Sequence, residues 1–332
     1  MKIDNLLGIA DGMLQNIPSV DHIESIQIDP LHVKRGDLFL DIHSSVENQK
    51  CAIKNGAYAI ITEKIDEIFD REVAWIEVDS LRLTCVKLAR YEFVRKSCKI
   101  LYLNDIDLEI FQSVIKDKEY KTLPANAFSA LLILNRSGEQ SKFVCSDKRL
   151  AFSIDPLCKE LKESYTINQM ESKSPFYSSF VIEDKFYENI KIPSIYVDRL
   201  STVLKYLDSK KLHYNLQNIN LKDHFGAVFI DYKFRKKDFG QGERVLIFES
   251  NMDYISKEYR YLKGFSEETK LFIPLKFKNY LGYANEAVFF KNSDELKEQI
   301  ENTKFKYALI LSNYEKHKRL TQQIKKEQLT LF

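Results

Sequence analysis

The residues best placed for ligand chemistry are two acidic side chains that follow predicted strands. Asp231 comes directly after the apolar run at 227–230, and Glu249 after the run at 245–248. Helical stretches separate most strands of this region, which favours a parallel sheet, and ligand clefts form where the strands of such a sheet end. Asp231 and Glu249 are therefore candidate substrate-binding residues, and no residue is assigned a catalytic role.

A second acidic group lies at Asp105, Asp107 and Glu109. These carboxylates could hold a cation, but we favour a solvated helix start, where negative charge interacts well with the helix dipole. The cysteines are odd in number, widely spaced and without a CxxC pair, and the histidines form no HxxxH pair. We therefore expect no metal site and reduced core thiols, as in a cytoplasmic protein.

The last five residues form a third candidate site, a protein-binding tail. They resemble the pentapeptide by which many bacterial replication and repair proteins bind the DNA polymerase sliding clamp. In such a motif Leu331 and Phe332 would enter an apolar pocket, while the amide of Gln328 fixes the register. The alternative is that Leu329, Leu331 and Phe332 fold back onto the last domain.

These candidates depend on elements that the apolar pattern predicts. In the first hundred residues strands and helices alternate, which indicates an α/β domain. A strand at Lys99–Asn104 and a helix at about 107–116 follow, and we predict a strand over 143–155 and a short helix over 155–163. The third region has five short apolar strands, at Ala227–Ile230, Val245–Phe248, Leu271–Ile273, Val288–Phe290 and Tyr307–Leu311.

One segment of the N-terminal region resembles a known family. Asp29 is followed by Gly36-Asp37-Leu38-Phe39, and a helix end with Gly56-Ala57 precedes a small apolar strand. This order is similar to the N-terminal domain of the Mur ligases, which form amide bonds in peptidoglycan precursors. The resemblance covers about the first 95 residues.

The resemblance implies a three-part α/β architecture with a shortened central domain and a C-terminal parallel-sheet, Rossmann-like domain. The C-terminal part is most similar to the ligase that adds D-Ala-D-Ala. We predict an N-terminal domain at 1–97, a degenerate central domain at 98–222, a C-terminal domain at 223–320 and a basic tail at 321–332.

The sequence departs from the family at both substrate sites. In the family an Asp-Ser-Arg loop helps to hold the uridine nucleotide, so the resemblance makes Asp29 a candidate substrate-binding residue, although Pro30 and Leu31 follow it here. The family also has a glycine-rich Gly-Lys-Thr loop that cradles ATP phosphates. In the equivalent stretch at 99–111 the strand and the helix are kept, but the loop residues at 103–109 include no Gly, Lys or Thr, and the carboxylates there would repel a triphosphate. We expect no bound cofactor.

Composition excludes several other functions. The 50 Lys and Arg against 48 Asp and Glu give a net charge of +2, so we expect no direct nucleic-acid binding, and Arg235–Lys237 is interpreted as a solvated loop. No apolar run is long enough to span a membrane. The leading hypothesis is a catalytically inactive Mur-ligase-like protein that binds a UDP-sugar precursor or acts as a scaffold. The alternatives are a protein recruited to the sliding clamp and an active ligase with an atypical nucleotide site.

Overall fold

The computed structural model describes residues 1–280 and 286–320. The chain divides into two compact units, one formed by residues 1–104 and 118–160 and the other by residues 105–117 and those from 161 onward. The predicted boundaries of three domains and a tail stay a prediction. The described residues contain no helix that is long and apolar enough to cross a membrane.

The first unit contains a five-stranded sheet that is parallel except at one edge. Its strands run in the order β1-β5-β4-β3-β2, and only β1 is antiparallel to its neighbour. Buried residues of β3, β4 and β5 pack into apolar cores on the two faces. The elements are α1 (Ile3–Ala10), β1 (Met13–Leu14), β2 (Ile26–Gln27), β3 (Leu38–Leu40), α2 (Val46–Lys54), β4 (Ala59–Thr62), β5 (Ala74–Glu77) and α3 (Leu81–Arg95).

A second, four-stranded sheet completes this unit, and all of its strands are parallel, in the order β7-β8-β6-β9. The helix α4 follows β6 in the chain but belongs to the second unit. The elements are β6 (Lys99–Tyr102), α4 (Asp105–Val114), β7 (Tyr120–Leu123), α5 (Ala127–Arg136), β8 (Lys142–Cys145), α6 (Lys148–Ile154) and β9 (Lys159–Glu160).

Two predicted elements in this stretch are wrong. The predicted strand over 143–155 ends at Cys145, because Asp147 caps a helix by accepting a hydrogen bond from the amide of Leu150. The apolar residues Leu150, Ala151 and Ile154 then share one helical face. The predicted helix over 155–163 is absent, and Lys159 and Glu160 pair with β6 instead.

The second unit contains α4, a small antiparallel sheet in the order β10-β11-β12 and a five-stranded sheet in the order β13-β14-β17-β15-β16. All six residues of β14 are buried, as expected of a central strand covered on both faces. The elements are β10 (Ile167–Gln169), β11 (Ser178–Ile182), β12 (Lys185–Ile190), α7 (Val197–Ser209), β13 (Gly226–Ile230), β14 (Arg244–Glu249), α8 (Met252–Lys263), β15 (Thr269–Pro274), β16 (Ala287–Phe290), α9 (Ser293–Asn302) and β17 (Tyr307–Leu311).

All five predicted strands of the C-terminal region are present, and the α/β fold class is confirmed. The sheet is parallel except for β13, which runs antiparallel to β14. The reason lies in the connection, because residues 231–243 contain no helix that could carry the chain back across the sheet, and β13 and β14 form a hairpin. This reversal decides where Asp231 and Glu249 lie.

Candidate functional site

A buried ion pair lies at the carboxyl end of β14. The Nδ1 atom of His224 is 2.7 Å from Oε1 of Glu249, and the two side chains are 7% and 0% exposed. Glu249 also accepts hydrogen bonds from the backbone amides of Asn251, at 2.6 Å, and Phe225, at 3.3 Å. Every oxygen of this buried carboxylate therefore has a donor, which a buried charge requires.

The loop that carries His224 is held from the opposite side by α4. The carboxylate of Glu109 accepts hydrogen bonds from the amides of Lys222, of Asp223 at 2.9 Å and of His224 at 3.1 Å. Phe225 has a φ of 52°, a region that bulky residues seldom adopt. Backbone strain of this kind persists only where the surroundings fix it, and it is frequent at functional sites.

Gly226 shows how tightly this loop is folded. A Cβ atom at this position would lie 2.3 Å from the carbonyl oxygen of Lys222. Only glycine allows this approach, so the loop and the start of β13 are fixed together. The sequence places His224 two residues before this glycine, and the turn presents its ring to Glu249.

Further polar side chains surround the pair. Asn251 caps α8 by accepting from the amide of Asp253, and its Nδ2 donates to Asp105 at 3.2 Å. The ring of Tyr254 lies edge-on to the imidazole of His224, with centroids 5.4 Å apart. These contacts join α4 and α8 to the same edge of the sheet.

A second buried carboxylate lies on α8. The hydroxyl of Tyr196 donates to Oε1 of Glu258 at 2.5 Å, and Glu258 is fully buried. Burial and then the negative charge of Glu249 raise the pKa of Glu258 well above its ordinary value. Two neighbouring buried carboxylates of which one tends to stay protonated are a common arrangement in acid–base sites.

The electrostatics of His224 follow from the same groups. Burial lowers its pKa, but the hydrogen bond and charge of Glu249, with the charges of Glu109 and Asp105, outweigh this effect, and the pKa is raised. The pKa of Glu109 is also raised, because burial outweighs the lowering effect of the hydrogen bonds that it accepts from three backbone amides. The arrangement can hold protons in a closed setting, and its low exposure favours a structural and electrostatic role over open acid–base catalysis.

Asp231 and Glu249 are not brought together. Because β13 and β14 are antiparallel, the end of β13 pairs with the start of β14, so the two residues lie at opposite edges of the sheet. Asp231 accepts from the amides of Lys233 and Arg235 and from the guanidinium of Arg235 at 2.6 Å. Burial would raise the pKa of Asp231, but these hydrogen bonds lower it to about 2. Its substrate role stays a prediction.

Asp29 lies in the first unit and organises a local turn. It caps the 3₁₀ helix Pro30–His32 by accepting from the amide of Leu31 at 2.9 Å, and its other oxygen is 2.7 Å from Nδ1 of His32. The hydrogen bond from Leu31 and then that from His32 lower the pKa of Asp29. A uridine-binding role for Asp29 also stays a prediction.

The acidic group at Asp105, Asp107 and Glu109 differs from a solvated helix start. Asp107 is 3% exposed and lies 3.6 Å from a guanidinium nitrogen of Arg199, while Asp105 and Glu109 have the partners described above. In the part of the chain that the structure describes, no group of three or more His, Cys, Asp or Glu could hold a metal ion. The predicted tail residues Gln328, Leu329, Leu331 and Phe332 lie outside the described residues.

His224, Tyr196 and Glu258 were not predicted from the sequence. No motif marks them, because their partners lie 25 to 62 residues away along the chain. The available signal was local, a histidine two residues before a glycine that opens a strand, and it indicated a turn rather than a site.

Comparison with known proteins identifies the fold. No family model and no curated protein matches this sequence. The MurF ligase of Thermotoga maritima, solved with ADP, superposes with a TM-score of 0.61 and 12% identity over 90% of this chain and 97% of that one. MurF of Acinetobacter baumannii gives a TM-score of 0.55 and 11% identity over 96% of this chain and 97% of that one.

The fold is that of the Mur ligases. At 11 to 12% identity these superpositions establish the fold alone, since one fold can carry unrelated functions. The predicted resemblance is confirmed at this level. In this Mur-ligase-like chain Glu109, His224 and Glu249 form a hydrogen-bonded polar cluster within the second unit.

The role of Glu109 can be tested directly. We expect Glu109→Ala to lower the free energy of unfolding by about 1–3 kcal/mol, because the amides of the loop 222–224 lose their acceptor. Hydrogen exchange of peptides covering 222–226 should become faster. Glu109→Gln keeps an acceptor oxygen and should recover part of the loss. Unchanged exchange in the alanine variant would contradict the role assigned to Glu109.

Proposed function

We propose that this chain is a binding protein on a Mur-ligase-like fold that does not carry out ATP-dependent ligation. The observation that carries the proposal is the stretch at 103–109, which contains no Gly, Lys or Thr. A phosphate loop needs glycines for close backbone approach, a lysine for charge and a hydroxyl for magnesium. No Gly-Lys pair occurs anywhere in the 332 residues.

The side chains in this stretch support the same conclusion. Asp105 accepts from Asn251, Asp107 pairs with Arg199, and Glu109 accepts three backbone amides. These carboxylates stabilise the second unit, and their negative charge would repel a triphosphate. The T. maritima enzyme that shares the fold was solved with ADP. We interpret the missing phosphate loop of this chain as a functional difference from that enzyme.

The proposed ligand is a UDP-sugar precursor of peptidoglycan, bound without being extended. The fold and the Asp29 turn support precursor binding. Pro30 and Leu31 stand where the family has Ser and Arg, so the arginine donors suited to phosphate are absent from this turn. Thermal-shift titrations with UDP-N-acetylmuramoyl peptides and with magnesium-ATP separate the two claims. We expect stabilisation by the precursor and none by the nucleotide.

Each outcome has a distinct meaning. Saturable stabilisation by magnesium-ATP, or release of ADP in the presence of precursor and an amino acid or dipeptide, would favour an active ligase with an atypical nucleotide site and overturn the proposal. A response to neither ligand would remove the precursor and leave a scaffold. Asp29→Asn serves as a matched variant for the precursor response, because it keeps an acceptor for the Leu31 amide but removes the charge.

A second candidate function rests on the C-terminal sequence Gln328-Leu329-Thr330-Leu331-Phe332. We propose that this tail binds the DNA sliding clamp. Purified clamp should bind the full chain, and deletion of 328–332 should abolish binding. Leu331→Ala with Phe332→Ala should have the same effect because both apolar anchors are lost, whereas Thr330→Ala should retain binding. Equal binding by the deleted chain would exclude this function.

A further inference from the structure

A cavity of about 450 Å³ lies at the amino edge of the C-terminal sheet, at the end opposite Glu249. Its lining includes Arg244, the first residue of β14, with Lys304 and Lys306 just before β17. A volume of this size accommodates a small molecule. None of these residues was predicted from the sequence to have a role, and the site proposed above for the precursor does not include them.

Arg244 is the unusual member of this lining. The residue is only 9% exposed, and its Nε atom is buried without a hydrogen-bond partner. Among the residues that the structure describes, its guanidinium makes one hydrogen bond, from Nη2 to the carbonyl oxygen of Tyr232 at 2.9 Å. No carboxylate among the described residues forms an ion pair with it. A buried charge without a counter-ion is unfavourable, because protein interiors solvate charge poorly.

Three aromatic rings partly compensate for the missing counter-ion of Arg244. The guanidinium carbon lies 4.5 Å from the ring centre of Phe234, 5.1 Å from that of Phe305 and 5.3 Å from that of Tyr232. Such contacts attract a cation and restrict its orientation, but they do not neutralise it. The rings therefore hold Arg244 in place with its charge available at the cavity.

Three carboxylates of the lining each have a described partner, although the amide bonded to Glu243 does not neutralise its charge. Glu268 pairs with Lys304 at 2.6 Å, Glu301 lies 3.9 Å from Lys297, and Glu243 accepts the amide of Tyr232 at 3.0 Å. Lys306, at the exposed rim, has no carboxylate partner among the described residues. Within the described ranges, Arg244 and Lys306 therefore have no ion-pair partner, the first buried and the second exposed.

We propose that this cavity binds the oxyanion of a small molecule, a carboxylate or a phosphate group, with Arg244 as the anchor and Lys306 at the rim. Arginine is suited to this role because its planar array of N–H donors matches two oxygens at once. The fixed orientation given by the three rings reduces the entropy lost on binding. Carboxylate and phosphate ligands share this chemistry and are distinguished by separate titrations.

The test uses the full chain and two probes, inorganic phosphate and succinate, each titrated at constant ionic strength made up with sodium chloride. We expect a saturable rise in melting temperature with at least one probe. The bound probe should also slow amide exchange over 243–245 and 302–306. Arg244→Met should weaken binding at least tenfold, and Lys306→Met several-fold. Arg260→Met, at an exposed position on α8, should leave binding unchanged.

Three results would overturn the proposal. The first is that neither probe gives a saturable rise in melting temperature. The second is an equal rise in the Arg244→Met chain, and the third is probe-induced protection from exchange elsewhere but not over 243–245 and 302–306. If Arg244→Met fails to fold, the Lys306→Met affinity and the exchange map of the unaltered chain still decide the question. A stronger response to phosphate would assign a phosphoryl ligand, and a stronger response to succinate a carboxylate.

Discussion

Glu249→Ala should lower the free energy of unfolding by about 3–5 kcal/mol. The substitution removes a carboxylate that is 0% exposed and leaves the imidazole of His224 and the amides of Phe225 and Asn251 without an acceptor. Breaking a buried ion pair by removing one partner has an effect of this size, since the remaining charge stays buried. Urea denaturation followed by far-UV circular dichroism measures it.

The control is Glu298→Ala, which removes an exposed carboxylate from α9 in the same unit. A surface substitution of this kind should change stability by no more than about 0.5 kcal/mol. Glu249→Gln keeps an acceptor for the histidine but loses the charge, so it should lie between the two alanine variants. If Glu249→Ala and Glu298→Ala unfold at the same urea concentration, the importance given to the His224–Glu249 pair is wrong.

Stability should decrease as the pH rises from about 5 to 8, and Glu258 should be the main cause. Its pKa is raised in the folded chain by burial and then by the charge of Glu249, while the hydrogen bond from Tyr196 and then the positive charge of Lys257 act in the opposite direction. At pH values above 4.5, the ordinary pKa of this carboxyl group, the folded state therefore binds more protons than the unfolded state. Stability consequently decreases as the pH rises. A tenfold difference in proton affinity corresponds to about 1.4 kcal/mol.

Other groups with shifted pKa values set the background of this measurement. The raised pKa of His224 has the same sign, since its stabilising contribution is complete below 6.5 and is lost as the pH rises through the folded value. Burial lowers the pKa of His317, which has the opposite sign. Asp231, with a pKa lowered to about 2, contributes stability above pH 3.8 and loses it only in stronger acid.

Glu258→Gln isolates the contribution of Glu258, because glutamine stays neutral and can still accept from Tyr196. Melting temperatures at pH 5.5, 6.5, 7.5 and 8 should fall by several degrees in the unaltered chain and clearly less in the variant, since about 1 kcal/mol moves the melting temperature of a chain of this size by a few degrees. The histidines are common to both proteins and cancel in the difference. Parallel curves for the two proteins would contradict the assignment.

The local elements of this protein follow from its sequence. Apolar runs with the length of strands and periodic apolar residues are local signals, and they predicted β14, β15, β17 and α4 close to their observed bounds. The missing phosphate loop is also a property of the sequence, because Gly, Lys and Thr must occur there for that chemistry to exist. Asp147 caps a helix at a position where a strand was predicted.

Only the tertiary structure decided which side chains meet. The direction of β13 is set by a hairpin that carries no apolar pattern, and it placed Asp231 and Glu249 at opposite edges of the sheet. Glu109 and His224 are 115 residues apart and come together because α4 packs within the second unit. Composition and spacing report on neighbours along the chain, whereas burial, ion pairing and pKa depend on neighbours in space, which is why the sequence determined the fold class and the absent loop, and the structure determined the site.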